Sequence, residues 1–139
     1  HKYLFPEKKL IKRKPWGELA LSHDWIGQNI YTNNFDEDEI LALAPYIKND
    51  SIIFDVGANI GFYTIFFAKQ AHAGRVYSFE PSLREFEVLS YNVEMNKLSN
   101  VELCNYGIGA EEKIETLFIS NVNFGTNSVI HKTNSTHSH

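Results

Sequence analysis

The sequence predicts an α/β fold, a partial Rossmann-like three-layer sandwich with parallel strands and crossover helices, on three observations. A short continuous apolar run, "SIIFDV", ends in an aspartate and passes through a glycine-bounded turn into a second apolar run of helical length. Strand-like and helix-like segments then alternate with short links up to about Tyr106. That alternation calls for right-handed crossovers and a parallel sheet. Finally, a 139-residue chain with 43% hydrophobic and 14% aromatic residues has enough apolar material for one real core, and no more than one domain.

Taken in order, residues 1–34 read as irregular, basic at the start and anchored by Trp16, Trp25 and Tyr31. "NFDEDEILALA" (Asn34 to Ala44) reads as a helix. Its four acids suit the positive end of the helix dipole, a better account of them than a metal site, and Pro45 ends or kinks it. Ile52 to Val56 reads as a strand buried on both faces. Gly57 to Gly61 is a tight turn, Phe62 to Ala71 a helix apolar nearly all round, and Gly74 its breaker. Arg75 to Phe79 is the second strand. Ser82 and Glu85 form a Ser-x-x-Glu capping box for a helix carrying Phe86, Leu89 and Val93 on one face. Asn96 to Asn100 is a loop and Val101 to Tyr106 a third strand. Ile114 to Ser120 alternates as a fourth, antiparallel strand should, and a polar, weakly patterned tail follows. The resulting division is 1–34 (basic, irregular), 35–130 (ligand-binding unit) and 131–139 (polar tail).

Charge is unevenly spread. Residues 1–14 carry six Lys or Arg against one Glu, whereas the rest carries seven against sixteen, so a +5 start meets a −9 body. An acidic body argues against a general nucleic-acid binder. The basic start reads first as a solvated terminus and second as a contact for an acidic surface. Cys104 is the one cysteine, which forbids an internal disulfide and fits a reducing compartment. With no run of about 18 apolar residues and no signal-peptide core, the expectation is a cytoplasmic protein with no integral membrane segment. A chain that opens on His1 reads as a processed product or a piece of a longer one. His23 and His72 read as surface residues rather than a catalytic base, and His131, His137 and His139 lie in a polar tail without carboxylate or cysteine company, so no metal site is expected. Sequons at Asn49 and Asn134 mean little without a secretory signal.

The chemistry concentrates where the first strand meets its helix. Ligands of parallel sheets bind at the carboxyl ends of strands. There Gly57 permits a sharp turn, Gly61 permits close approach, Asp55 places a carboxylate near the loop, where it can hold loop amides or attract a cation, and Asn59 tolerates a positive φ while offering an amide. Alone this is a strand–turn–helix corner. Glu80, 23 residues beyond Gly57 at the end of the next strand, adds a carboxylate placed to accept hydrogen bonds from a ribose diol. Together they indicate a nucleoside ligand. Asn59 stands where a dinucleotide fingerprint needs glycine, and Asp55 would repel a pyrophosphate. A ligand without phosphates and with a cationic amino-acid end fits better, and that is S-adenosylmethionine.

"IFDVGANIGFYT" followed by "VYSFEP", with "YNVEMNKLSNVEL" and "FGTNSV" downstream, resembles the FkbM-type S-adenosylmethionine-dependent methyltransferases over about Phe35 to Ile130. The resemblance implies a methionine-side loop of Asp55, Gly57, Asn59 and Gly61, with Thr64 below it on the first helix. It also implies that Glu80 holds the ribose hydroxyls and that Asn105 to Ile108 lie near the adenine. It implies O-methylation of a small molecule or sugar, and a longer sheet in which "SIIFDV" is central, so that without the later strands it becomes an open apolar edge. The catalytic base is not indicated. The competing readings are a non-catalytic module that pairs with a second copy through an open strand edge, and a nicotinamide-dependent oxidoreductase half.

Overall fold

The computed structural model describes residues 10–14, 16–21, 30, 32, 37–118 and 128–129. An antiparallel hairpin comes first, β1 (Leu10–Lys14) and β2 (Gly17–Leu21), in register Ile11↔Ala20 and Arg13↔Glu18. Helix α1 (Glu37–Leu43) runs into a 3-10 turn, Ala44–Tyr46, that takes in Pro45. Then follow β3 (Ile52–Val56), α2 (Phe62–Gln70), β4 (Arg75–Phe79), α3 (Leu83–Met95) and β5 (Val101–Cys104). Two short strands, β6 (Leu117–Phe118) and β7 (Ser128–Val129), pair antiparallel with each other.

Strands β3, β4 and β5 form a parallel sheet in that spatial order. Both crossovers step in the same direction, so right-handed connections put α2 and α3 on the same face. On that face Thr64 of α2 reaches Asp55 and Ser78, while Val101 and Leu103 pack near Leu89 and Val93 of α3. The hairpin lies on the outer side of the helices. Leu19 and Leu21 join Ile60, Phe62, Ile65, Phe66 and Val88 in one buried cluster, and Trp16 meets the Phe62 ring edge-on at 5.1 Å. The three layers are therefore sheet, helices and hairpin.

Four expectations change. The segment read as irregular holds the β1–β2 hairpin, whose two five-residue strands are too short and too polar on one side to stand out. Strand β3 is buried on one face only: Ile52, Phe54 and Val56 are 68%, 63% and 60% exposed. The helices cover its other face, and among the described residues β3 lies at the sheet edge, the open position expected of it without the later strands. The expected strand over 114–120 is antiparallel, but among its described residues only Leu117 and Phe118 are paired, and their partner lies in the segment read as unpatterned. Ser82 is the α3 N-cap residue, yet its side chain makes no capping bond, and Glu85 pairs with Arg84 instead. The readings on His23, Trp25, Tyr31, residues 33–36 and the tail from 130 lie outside the described residues.

No described helix is long and apolar enough to cross a membrane. Leu89 has no exposed surface, whereas Ile114 is fully exposed. Leu89→Ala should therefore cost about 2–5 kcal/mol in urea unfolding, and Ile114→Ala less than about 0.5 kcal/mol. Equal costs would contradict the placement of the core.

Candidate functional site

The turn after β3 takes three left-handed residues in five positions: Gly57 at φ 79°, Asn59 at φ 51° and Gly61 at φ 91°. Glycine is the low-strain choice for the first and last, and asparagine is among the few side chains that tolerate the middle one. A Cβ on Gly61 would also come 2.7 Å from Leu89 Cδ1, so the loop lies directly against α3. A Cβ on Gly57 would meet nothing within 4 Å. The first turn residue thus faces open space, and a ligand can come right up to the backbone there.

Four tethers hold the loop. The Phe79 carbonyl accepts from the amides of Gly57 (2.9 Å) and Ala58 (3.0 Å). Glu80 Oε2 accepts from the Asn59 amide at 2.9 Å, while its Oε1 accepts from the Ser82 amide at 2.9 Å. Asn92 Nδ2 donates to the Ile60 carbonyl at 2.8 Å. Each Glu80 oxygen keeps lone-pair capacity after its backbone bond. Asn105 Nδ2 donates to the Glu80 carbonyl at 2.8 Å and so closes the ends of β4 and β5 together.

Below the loop lies a buried polar chain. The Thr64 hydroxyl donates to Asp55 Oδ2 at 2.5 Å and stands 2.9 Å from Ser78 Oγ. Its single proton is committed to the carboxylate, so Ser78 must donate to Thr64. Asp55 therefore does not reach out to hold loop amides, as its position in the sequence suggested, but is anchored from beneath by α2. Burial pushes its carboxyl above the ordinary value, against the opposing pull of the Thr64 hydrogen bonds. Glu80 is also raised, first by burial and further by the charges of Glu85 and Asp55, with the Ser82 and Asn59 amides pulling the other way. Burial pushes Glu85 up too, but the hydrogen bonds and charge of Arg84 outweigh it and hold this carboxyl below its ordinary value.

The sequence-predicted residues thus fall into two connected sets, Asp55 with Thr64, and Asn59 with Glu80 and Asn105, while Gly57 and Gly61 shape the loop between them. Sequence reasoning missed Ser78 and Asn92, both without exposed surface. The signal was present: Ser78 interrupts the apolar strand "RVYSF", and Asn92 interrupts the buried stripe of α3. Asn59 Oδ1 is buried and finds no hydrogen-bond partner among the described residues. The backbone amide of Asn59 bonds Glu80, so its side-chain oxygen lies where a bound polar ligand or its water would satisfy it. No group of three His, Cys, Asp or Glu able to hold a metal occurs among the described residues.

A family model, the TRM5/TYW2 methyltransferase domain, matches residues 26–132. Among solved structures the chain is similar to TYW2 of M. jannaschii in complex with AdoMet, at 25% identity and a TM-score of 0.56, over 73% of this chain and 45% of that one. Among curated proteins it is similar to Methyltransferase 1 of Beauveria bassiana, 31% identical over 54% of this chain and 30% of that protein. It is also similar to the antimetabolite synthetase AmbE of Pseudomonas aeruginosa, 29% identical over 71% of this chain and 5% of that protein. The chain spans less than half the length of each. The expected FkbM branch is replaced by the branch whose model matches.

Because both carboxyls are raised by burial, their contribution to stability should be fully present below the ordinary carboxylate range and be lost as pH rises through the folded-state values, whereas the lowered Glu85 acts in the opposite sense. Urea midpoints of Asp55→Asn between about pH 4 and pH 7 should show a shallower decline than those of the native chain. An unchanged decline would mean that Asp55 is not a source of it. With its strand–loop–helix site in place and the model matched over more than half its length, the chain belongs to the TRM5/TYW2 methyltransferase domain family.

Proposed function

We propose that the chain is the donor-binding part of an S-adenosylmethionine-dependent transferase. The observation that carries this is the arrangement of Glu80, whose two oxygens are each half used by backbone amides beside a loop left open at Gly57. The remaining lone pairs suit the ribose hydroxyls, Gly57 admits the ligand to the backbone, and Asn59 Oδ1 supplies an acceptor with no other partner among the described residues. Asp55, anchored by Thr64, contributes negative potential on the side where the methionine ammonium would lie, and Asn105 keeps the end of β5 at the nucleoside side. S-adenosylmethionine supplies an electrophilic carbon on a sulfonium. The part of this chain is to bind and align it, and alignment is the larger share of such an in-line displacement.

For the acceptor, family membership supports a tRNA nucleoside rather than the small molecule or sugar that the FkbM likeness implied. Charge is consistent with an RNA contact confined to one side. The +5 of residues 1–14 leads into β1, and a groove of about 630 Å³ between the hairpin and the last turns of α2 and α3 is lined by Lys14, Trp16 and Lys69. Cations beside an aromatic ring suit a phosphate and a stacked base. A small-molecule acceptor is the second reading, favoured by the acidic body and by the likeness to an antimetabolite synthetase.

Glu80→Ala should weaken S-adenosylmethionine binding roughly 30- to 150-fold in calorimetry, the loss of charge-assisted bonds worth about 2–3 kcal/mol. Gly57→Val should abolish it in a folded chain, because a β-branched residue is costly at positive φ. Unchanged affinity in either would remove that residue from the site. Binding of tRNA should fall steeply with salt, and Lys69→Glu should reduce the magnitude of the log–log slope by about 1. Salt-independent or undetectable RNA binding would favour the small-molecule acceptor.

A further inference from the structure

The hairpin is tied to α3 by an unusual device. In a two-stranded antiparallel ribbon, every second residue turns its N–H and C=O outward. On β2 these are Glu18 and Ala20, and each finds an asparagine side chain. Asn96 Oδ1 accepts from the Glu18 amide at 2.9 Å while its Nδ2 donates to the Glu18 carbonyl at 2.6 Å. Asn92 Oδ1 accepts from the Ala20 amide at 2.7 Å while its Nδ2 donates to the Ala20 carbonyl at 3.1 Å. The two amides pair with the strand edge much as a third strand would.

The two asparagines differ in where the second Nδ2 proton goes. That of Asn96 stays within α3, on the Asn92 carbonyl at 2.8 Å. That of Asn92 goes to Ile60 in the loop at 2.8 Å. Asn92 has no exposed surface, its oxygen and both its protons are committed, and its amide cannot flip without setting oxygen against two carbonyls. It therefore fixes the carbonyl of Ile60 just as Glu80 fixes the amide of Asn59, from the opposite side of the same two-residue stretch. The Ile60 side chain, 1% exposed, packs in one cluster with Leu19 and Leu21 of β2.

The geometry points to Asn92 as a positioning residue that couples the hairpin to the 57–61 loop, so that the seating of β2 sets the affinity of the loop for its ligand. The affinity part rests on the S-adenosylmethionine reading above, whereas the coupling itself does not. By linkage the effect runs both ways: a ligand that orders the loop also tightens β2, and whatever engages the hairpin changes ligand affinity.

The test compares Asn92→Asp with Asn96→Asp in the full chain. Both replacements keep side-chain shape and remove the donors to β2, but only the first removes a donor to the loop. Amide hydrogen exchange of the free chain should speed up at Asn59 and Gly61 about tenfold or more in Asn92→Asp, and at Glu18 but not in the loop in Asn96→Asp. S-adenosylhomocysteine affinity should fall roughly tenfold in the first variant and stay within about twofold in the second. In the native chain, saturating S-adenosylhomocysteine should slow exchange at Ala20, a readout that needs no variant to fold. Equal loop exchange in the two variants, or equal affinities with only thermal stability lowered, would overturn the coupling and leave Asn92 a packing residue. A native chain that binds no S-adenosylhomocysteine would instead remove the cofactor reading, and loop exchange in the free variants would then decide the coupling alone.

Discussion

The end of β4 is the constraint on which the rest of the site depends. One carbonyl, that of Phe79, takes two loop amides, and the next residue, Glu80, takes a third with its side chain. The Glu80 amide in turn donates to Cys104, the last residue of β5. Loop, central strand and neighbouring strand are thus registered on two consecutive residues. Without that anchor, a turn with three residues at positive φ has little reason to persist, since an asparagine in that region carries a backbone cost that its surroundings must offset. The parallel sheet fixes where β4 ends, β4 fixes the loop, and the loop leaves open space above Gly57.

Electrostatics at this end work against stability. Asp55 and Glu80 are both pushed toward the neutral form by burial, and at Glu80 the charges of Glu85 and Asp55 add repulsion. Glu85 escapes because it has its own guanidinium in Arg84. The protein thus answers one buried carboxylate internally and leaves the two beside the loop without a cationic partner among the described residues. Sites that hold charge at the expense of folding energy concentrate where a ligand completes them. A ligand that brings an ammonium, a sulfonium and a diol would offset the same desolvation that the free protein bears.

How much of this was legible depends on the range of the interaction. Asp55, Gly57, Asn59, Gly61 and Glu80 were visible because their requirements are local: a positive φ, a strand end, a carboxylate at nucleoside spacing. Thr64 was visible only through the resemblance, and its bond to Asp55 spans nine residues. Asn92 and Ala20 are 72 residues apart, and no pattern along the chain joins them. The hairpin escaped notice for the same reason, since Leu19 and Leu21 gain their burial from helices much later in the sequence. The mistaken branch has a related cause. Residues that bind a shared donor are alike across branches, whereas residues that receive the acceptor distinguish them, and the legible motifs were of the first kind.

The asparagine pair also shows how a helix can close a strand edge. Residues four apart on a helix are separated by about 6 Å along its axis, and residues two apart on a strand by about 6.6–6.8 Å. The match is close enough for two carboxamides to bond alternate residues of β2 without distorting either element. An exposed edge is a pairing hazard, and here it is consumed by side chains that also set its register. A one-residue slip of β2 would face the asparagines with backbone groups pointing toward β1, and would turn Leu19 and Leu21 out of the cluster they share with Ile60. Polar and apolar requirements therefore select the same register, and that register carries the Ile60 carbonyl to the one remaining proton of Asn92. A loop that must hold a demanding backbone shape is in this way stabilised by a layer on the far side of the helix, not by the loop's own sequence alone.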